Sequence, residues 1–362
     1  VSCALALALQ SSRHVEAITD HIFCGSTVMR ERNECGCSSK RLRLTRRRFT
    51  AGIAAAIATT ASLTLHGETV KRRNSFVAGM TCYTPIRFDL AQCLEQLKET
   101  PLRKIELPVW ALVNPKALIP EFMVDAHLGG QWQYSIPDLR QLLKTGGFQV
   151  ECVCIVGFLA GYPGSEPIIR RRIDFAERFG AKLINLAFCS LSPPDNVEKY
   201  RKSACSMLRS VGRYAADRGV RIAVETWGGI TQDADEAIRT LDAVGLDNVG
   251  ITFDTGNFLL ANPKMDAASL PGELRRLAKH IFYVQLKDVV RKGGSQPITT
   301  ILGQGEVDFR SVFAILHDAG FYGPLAFDVE TTHACQSGDI RESQKDMLAS
   351  IAYLRSIGEF DQ

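Results

Sequence analysis

A chain of 362 residues, 46% hydrophobic and 23% charged, is long enough to bury a large core, and its composition excludes disorder, a collagen repeat and a coiled coil. The formal charge of +4 is unevenly placed. Residues 1–67 carry nine Lys/Arg against four Asp/Glu, which leaves 34 basic against 35 acidic residues beyond Gly67. A nearly neutral body gives no footing for a polyanion, so no nucleic-acid partner is expected.

In chain order, residues 1–40 show no convincing period and read as an over-long start or an extension. Thr45–Gly52 then runs T-R-R-R-F-T-A-G and leads into an Ala/Ile/Thr stretch ending at Leu65. This resembles a twin-arginine export signal, with Arg46 and Arg47 as the pair and Phe49 two positions on. The resemblance implies an exported, periplasmic protein, or one held by an N-terminal anchor if the signal is not cleaved. Ala51–Leu65 is too short and too rich in Ala and Thr for a stable membrane span. Residues 1–67 are therefore set apart as a leader, and 68–362 are taken as one domain. The eleven cysteines include no C-x-x-C pair, and the seven beyond the leader read as small buried hydrophobes rather than a disulfide framework.

From Ser75 onward, short apolar runs alternate with longer amphipathic segments. Strands are predicted at Phe76–Thr81, Lys104–Leu107, Gln149–Val156, Lys182–Ala187, Arg221–Glu225, Val249–Asp254, Ile281–Lys287 and Pro324–Glu330. Helices are predicted at Leu90–Glu99, Pro137–Leu143, Glu166–Phe179, Val197–Arg218, Asp233–Val244, Ala267–Ala278, Phe309–Ala319 and Ile340–Ile357. Gly180, Gly219 and Gly320 supply helix stops. The strand runs are almost continuously apolar, the mark of parallel strands covered on both faces. Eight strand–helix units in about 285 residues match a (β/α)8 TIM barrel. A doubly wound open sheet would call for a glycine fingerprint after its first strand, and none is present.

In such a barrel, chemistry gathers at the carboxyl ends of the strands. Strands five to eight end in Glu225, Asp254, Gln285 and Asp328, with Glu330 two positions later, and strand two adds Glu106. Carboxylates brought together there repel one another unless a cation or protons neutralise them. Oxygen donors suit Mn²⁺ or Mg²⁺, with Co²⁺ or Zn²⁺ as further candidates.

At these positions the sequence resembles the xylose isomerase-like barrels of the sugar phosphate isomerase/epimerase kind. The resemblance covers about residues 75–360. It is carried by Val-Glu-Thr-x-Gly-Gly after strand five, Phe-Asp-Thr-Gly-Asn after strand six, Val-x-Leu-Lys-Asp in strand seven and Leu-Gly-Gln-Gly-Glu-Val-Asp-Phe at Leu302–Phe309. It implies metal ligation by Glu225, Asp254, Gln285 and Asp328, with Glu330 the rival for the last place. Gln285 stands where many relatives carry His, and Trp227 where relatives often place a substrate-touching His. Glu106, Trp227, Asn257 and Lys287 are the implied substrate contacts, and Lys287 and Asp288 can equally pair with each other.

The implied reaction is divalent-metal-dependent isomerisation or epimerisation of a sugar or keto-sugar through an enediolate, with Glu225 and Asp328 or Glu330 moving the proton. A lyase or dehydratase acting on a keto-sugar or inositol derivative is the alternative, as is a non-catalytic sugar-binding relative. A zinc nuclease would need several His ligands, and the body has only His127, His280, His317 and His333. Of these, His333 follows strand eight and is placed to reach the site. The implied partner is a small-molecule sugar, and an oligomer is compatible with the sequence.

Overall fold

Continuous Val/Ile/Leu/Ala runs need cover on both faces, and the eight predicted runs obtain it by pairing in parallel beneath a ring of helices. The computed structural model describes residues 74–79, 90–110, 123–124, 134–156, 165–187, 197–262, 264–291 and 297–361. The strands are β1 (Ser75–Gly79), β2 (Lys104–Trp110), β3 (Gln149–Val156), β4 (Leu183–Ala187), β5 (Arg221–Glu225), β6 (Val249–Asp254), β7 (Ile281–Leu286) and β8 (Pro324–Phe327). Each lies beside its neighbours in sequence, and β8 returns to β1 in parallel with Ser75–Ala78 opposite Pro324–Phe327. This is a closed TIM barrel. A Cβ on Gly79 would collide with the carbonyl of Phe327, so the closing seam needs glycine there.

The main outer helices are α1 (Leu90–Leu97), α2 (Ile136–Gly146), α3 (Ser165–Arg178), α4 (Val197–Ala216), α5 (Ala234–Val244), α6 (Leu270–Leu277), α7 (Phe309–Asp318) and α8 (Ile340–Ser356). Their starts follow side-chain chemistry. Ser135, Asp233, Asp308 and Asp339 each accept a backbone N–H from the first turn of α2, α5, α7 and α8 respectively. Gly180, Gly219 and Gly320 take positive φ, as the helix-stop reading expects. None of the helices among the described residues is long and apolar enough to cross a membrane.

Strand periodicity divides the core in two. One set of strand residues packs outward against the helices. The other, made of Val77, Cys152, Leu183, Ala223, Tyr283 and Ala326, fills the barrel itself. Two positions further along five of these six strands stand Cys154, Asn185, Glu225, Gln285 and Asp328, and β1 has Gly79 there. The period of two thus lifts one polar layer above an apolar plug, with Trp227, Lys287 and Glu330 a further two positions on.

The structure also departs from the sequence reading. The eighth strand stops at Phe327 rather than Glu330. Asp328 N–H still bonds the Leu286 carbonyl at 3.0 Å, but Glu330 N–H turns back to the Asp328 carbonyl at 3.0 Å and ends the ladder. Two small antiparallel pairs, Asp288–Val290 with Ile298–Thr300 and Met123–Val124 with Tyr134–Ser135, were not predicted, because runs of two or three residues carry no period. The same holds for the short helices Asn257–Ala261 and Thr332–Ser337. The leader, the end of the predicted first strand at Met80–Thr81, and His127 lie outside the described residues.

Candidate functional site

The Phe-Asp-Thr-Gly-Asn run after β6 builds most of the site, and each of its polar members has a separate task. Asp254 is fully buried, and its Oδ1 accepts the N–H groups of Gly256 at 2.8 Å and Asn257 at 2.9 Å. Thr255 straps β6 to the end of β7: its Oγ1 donates to the Lys287 carbonyl at 2.6 Å and lies 2.8 Å from the Lys287 N–H. Gly256 leaves room for the lysine stem, since a Cβ there would sit 2.7 Å from Lys287 Cγ. Asn257 donates through Nδ2 to Glu225 Oε1 at 2.7 Å and accepts from Lys287 Nζ at 3.3 Å.

Glu225 ends β5. Its second oxygen accepts from Asn185 Nδ2, on the neighbouring strand β4, at 3.0 Å. Thr231 Oγ1 donates to the Glu225 carbonyl at 3.0 Å and receives the Trp227 N–H at 3.2 Å, fixing the turn that follows. Trp227 is 4% exposed.

Lys287 is the electrostatic hub. Its ammonium lies 2.8 Å from Asp328 Oδ2, 3.2 Å from Asp254 Oδ2 and 3.3 Å from Glu330 Oε2. Both strand-eight acids named as rival ligands therefore face the same lysine. Lys287 does not pair with Asp288. That carboxylate instead gathers the N–H groups of Val289, Gly303, Gly305 and Val307 at 2.8–3.1 Å. This explains the Leu302–Phe309 motif: it is the loop that Asp288 fastens to the end of β7, and Asp308 within it caps α7.

The ionisation pattern follows from burial and crowding. Burial, then the charge of Asp254, pushes Glu225 well above the usual carboxylate range. Burial raises Asp254 to about 6 and Glu330 to about 7, each against the pull of Lys287. Burial works against a charged Lys287, but Asp254, Asp328 and Glu330 outweigh it and hold the ammonium well above its ordinary value. The site is thus a set of reluctant carboxylates around one firm cation.

Glu106 reaches this layer from behind. It is fully buried and accepts from Gln285 Nε2 at 3.2 Å. Burial, then the charge of Asp328, raises it to about 8. The Tyr283 hydroxyl lies beside it, outside good hydrogen-bond geometry. In the structure Glu106 is a partner of Gln285. Asn185 escaped the sequence reading, although an amide inside the apolar run Leu-Ile-Asn-Leu-Ala was the available signal. His333 turns to Asp346 Oδ2 at 3.3 Å on α8, and His317 stacks on Tyr322 and lies 3.4 Å from Asn74, so neither joins the site.

The donors suit a hard divalent ion. Gln285 Oε1 is buried without a hydrogen-bond partner, and Asp254 Oδ2 has only the Lys287 charge, a costly state for interior oxygens. Both atoms belong to the expected ligand set, and all four of its members offer oxygen. Among the described residues no three His, Cys, Asp or Glu side chains converge closely enough to hold a metal by themselves. Lys287 bridges Asp254 and Asp328, while Glu225 is turned toward its two asparagines.

A family model described as Xylose isomerase-like TIM barrel matches residues 119–357. An inosose dehydratase of Clostridium perfringens is 22% identical over 235 residues, covering 57% of this chain and 77% of its own. An L-ribulose 3-epimerase of Methylomonas sp. is 26% identical over 212 residues, covering 54% and 70%. Two solved structures share the fold. The IOLI protein with a zinc atom has a TM-score of 0.58 at 16% identity, covering 80% of this chain and 99% of its own. A xylose isomerase-like TIM barrel protein from Mycobacterium smegmatis in complex with magnesium has a TM-score of 0.56 at 17% identity, covering 76% and 97%.

Proposed function

The chain belongs to the xylose isomerase-like TIM barrel family, and from that premise we propose that it is an enzyme which moves a proton next to the carbonyl of a keto-sugar or cyclic keto-polyol. The observation that carries this is that Lys287 gathers Asp254, Asp328 and Glu330 at the strand ends, while Asn257 ties Glu225 to the same ammonium. Carboxyl groups poised near neutrality, as Glu330 is at about 7, can both take and give a proton at working pH. Glu225, Asp254, Gln285 and Asp328 would hold the divalent ion, Mn²⁺ or Mg²⁺ by their hard oxygens. Once bound, that ion would supply the positive charge that acidifies the C–H beside a carbonyl and steadies the resulting enediolate.

The residues of the chain do the rest. Asn185 and Asn257 aim Glu225 through one hydrogen bond to each of its carboxylate oxygens. Asp328, or Glu330 beside it, serves the second proton position. Lys287 balances the negative charge that builds up as the proton leaves. Return of the proton to the same carbon from the other face gives epimerisation, and loss of a neighbouring hydroxyl as water gives dehydration. The dehydratase and 3-epimerase relatives represent these two outcomes.

The test is incubation of the purified protein with Mn²⁺ and a panel of ketoses and inososes in D₂O, followed by proton NMR. Loss of an α-proton signal is expected, either with a new epimer or with an unsaturated or diketo product. No exchange in any member of the panel would remove the enzymatic reading and leave a sugar-binding protein.

Export is part of the same proposal, motivated by the paired arginines of the leader, and it favours unphosphorylated substrates. A reporter fused to residues 1–67 should leave the cytoplasm, and Arg46→Lys with Arg47→Lys should retain it there.

A further inference from the structure

We propose that Lys287 competes with the divalent ion for Asp254 and Asp328, so that a cation built into the chain sets how tightly the site holds its metal. The proposal rests on the metal reading above and deepens it. The ammonium contacts one oxygen of each of those carboxylates, at 3.2 and 2.8 Å, and both residues belong to the ligand set. A dication drawn to the same oxygens meets a like charge already in place.

The lysine is held at its base. Thr255 strands its backbone between two hydrogen bonds, and its stem lies over Gly256, with no space for even one added carbon. Its side chain is 5% exposed. Two further acceptors lie within reach of Nζ, Glu330 Oε2 and Asn257 Oδ1, both at 3.3 Å. Metal entry would therefore shift the ammonium from Asp254 and Asp328 onto Glu330 and Asn257, and metal loss would let it return. Glu330 gains a defined task in this account: it is the resting place of the displaced cation rather than a rival ligand. A site neutralised from within tolerates losing its ion, so the metal should exchange readily.

Mn²⁺ titrated into the full chain, with the free ion followed by its EPR signal, tests this. Lys287→Met should bind Mn²⁺ at least about tenfold more tightly than the parent, while Lys287→Arg, which keeps the charge, should gain nothing. If Lys287→Met folds poorly alone, Mn²⁺ should restore its folding and raise its Tm more than it raises the parent's. Equal or weaker Mn²⁺ affinity in Lys287→Met, with the parent binding in a way that Asp254→Asn abolishes, overturns the competition and leaves the metal reading standing. Absence of Mn²⁺ binding in both proteins overturns the metal reading, and the competition with it.

Discussion

Asn257 donates through Nδ2 to Oε1 of Glu225 at 2.7 Å, joining the first turn after β6 to the tip of β5. The same amide meets Lys287 through its oxygen, so one side chain sets the distance between the carboxyl group and the ammonium. Asn257→Ala should slow α-proton exchange by about 10- to 100-fold through misplaced groups. It should also lower the unfolding free energy by about 1–3 kcal/mol, because the Glu225 oxygen loses its buried donor. Exchange kinetics and urea unfolding on the same preparation measure both.

Glu225→Gln keeps the shape of the side chain and removes the proton carrier. Exchange should fall by at least about 100-fold while the far-ultraviolet circular dichroism stays that of the parent. A variant that retains more than a tenth of the parent's exchange rate would show that the proton moves elsewhere, with Asp328 or Glu330 as the remaining carriers.

Glu106 makes a statement about stability and pH. Its folded pKa of about 8 stands above the 4.5 of the free group, so the folded chain binds the extra proton between these values. A raised carboxyl pKa therefore means stability that is present at low pH and lost as pH rises through that window. Glu106→Gln abolishes this loss. Measured in chelator, the Tm of Glu106→Gln relative to the parent should climb from pH 5 to pH 8.5. A difference that is flat or falls with pH would show that Glu106 is ionised throughout.

Gly305 packs against the carboxylate of Asp288 and the carbonyl of Val289, and a Cβ would overlap both. Gly305→Ala should cost about 1–3 kcal/mol in chemical denaturation. The end of β7 is tied to the same carboxylate, so Mn²⁺ affinity should weaken as well. Gly272, with open space around its added carbon, is the matching control and should tolerate alanine.

Much of the barrel could be read from the chain because its parallel strands are buried on both sides, leaving apolar runs such as Leu183–Ala187 with no polar residue except Asn185. The site was legible wherever a charge broke such a run, as at Glu225, Asp254 and Asp328. Its interior wiring was not. That Lys287 gathers three acids, that Glu106 lies behind Gln285, and that Asp288 serves a loop rather than the site all depend on how neighbouring strands are staggered. Stagger is a property of the closed sheet, so no one segment carries it. Asn185 was the one avoidable omission, since a buried amide in a strand has to satisfy something.

The apolar plug beneath the polar layer has a consequence for protons. Val77, Ala223, Ala326 and the ring of Tyr283 fill the barrel below Glu106 and Gln285, all of them fully buried. Within that cluster the Tyr283 hydroxyl and the Cys152 thiol are the proton-bearing groups, and burial pushes both well above their ordinary values, so the plug is a poor conduit for protons. On the proposed function, Glu106 is then expected to exchange its proton through the polar layer at the strand ends rather than through the far end of the barrel.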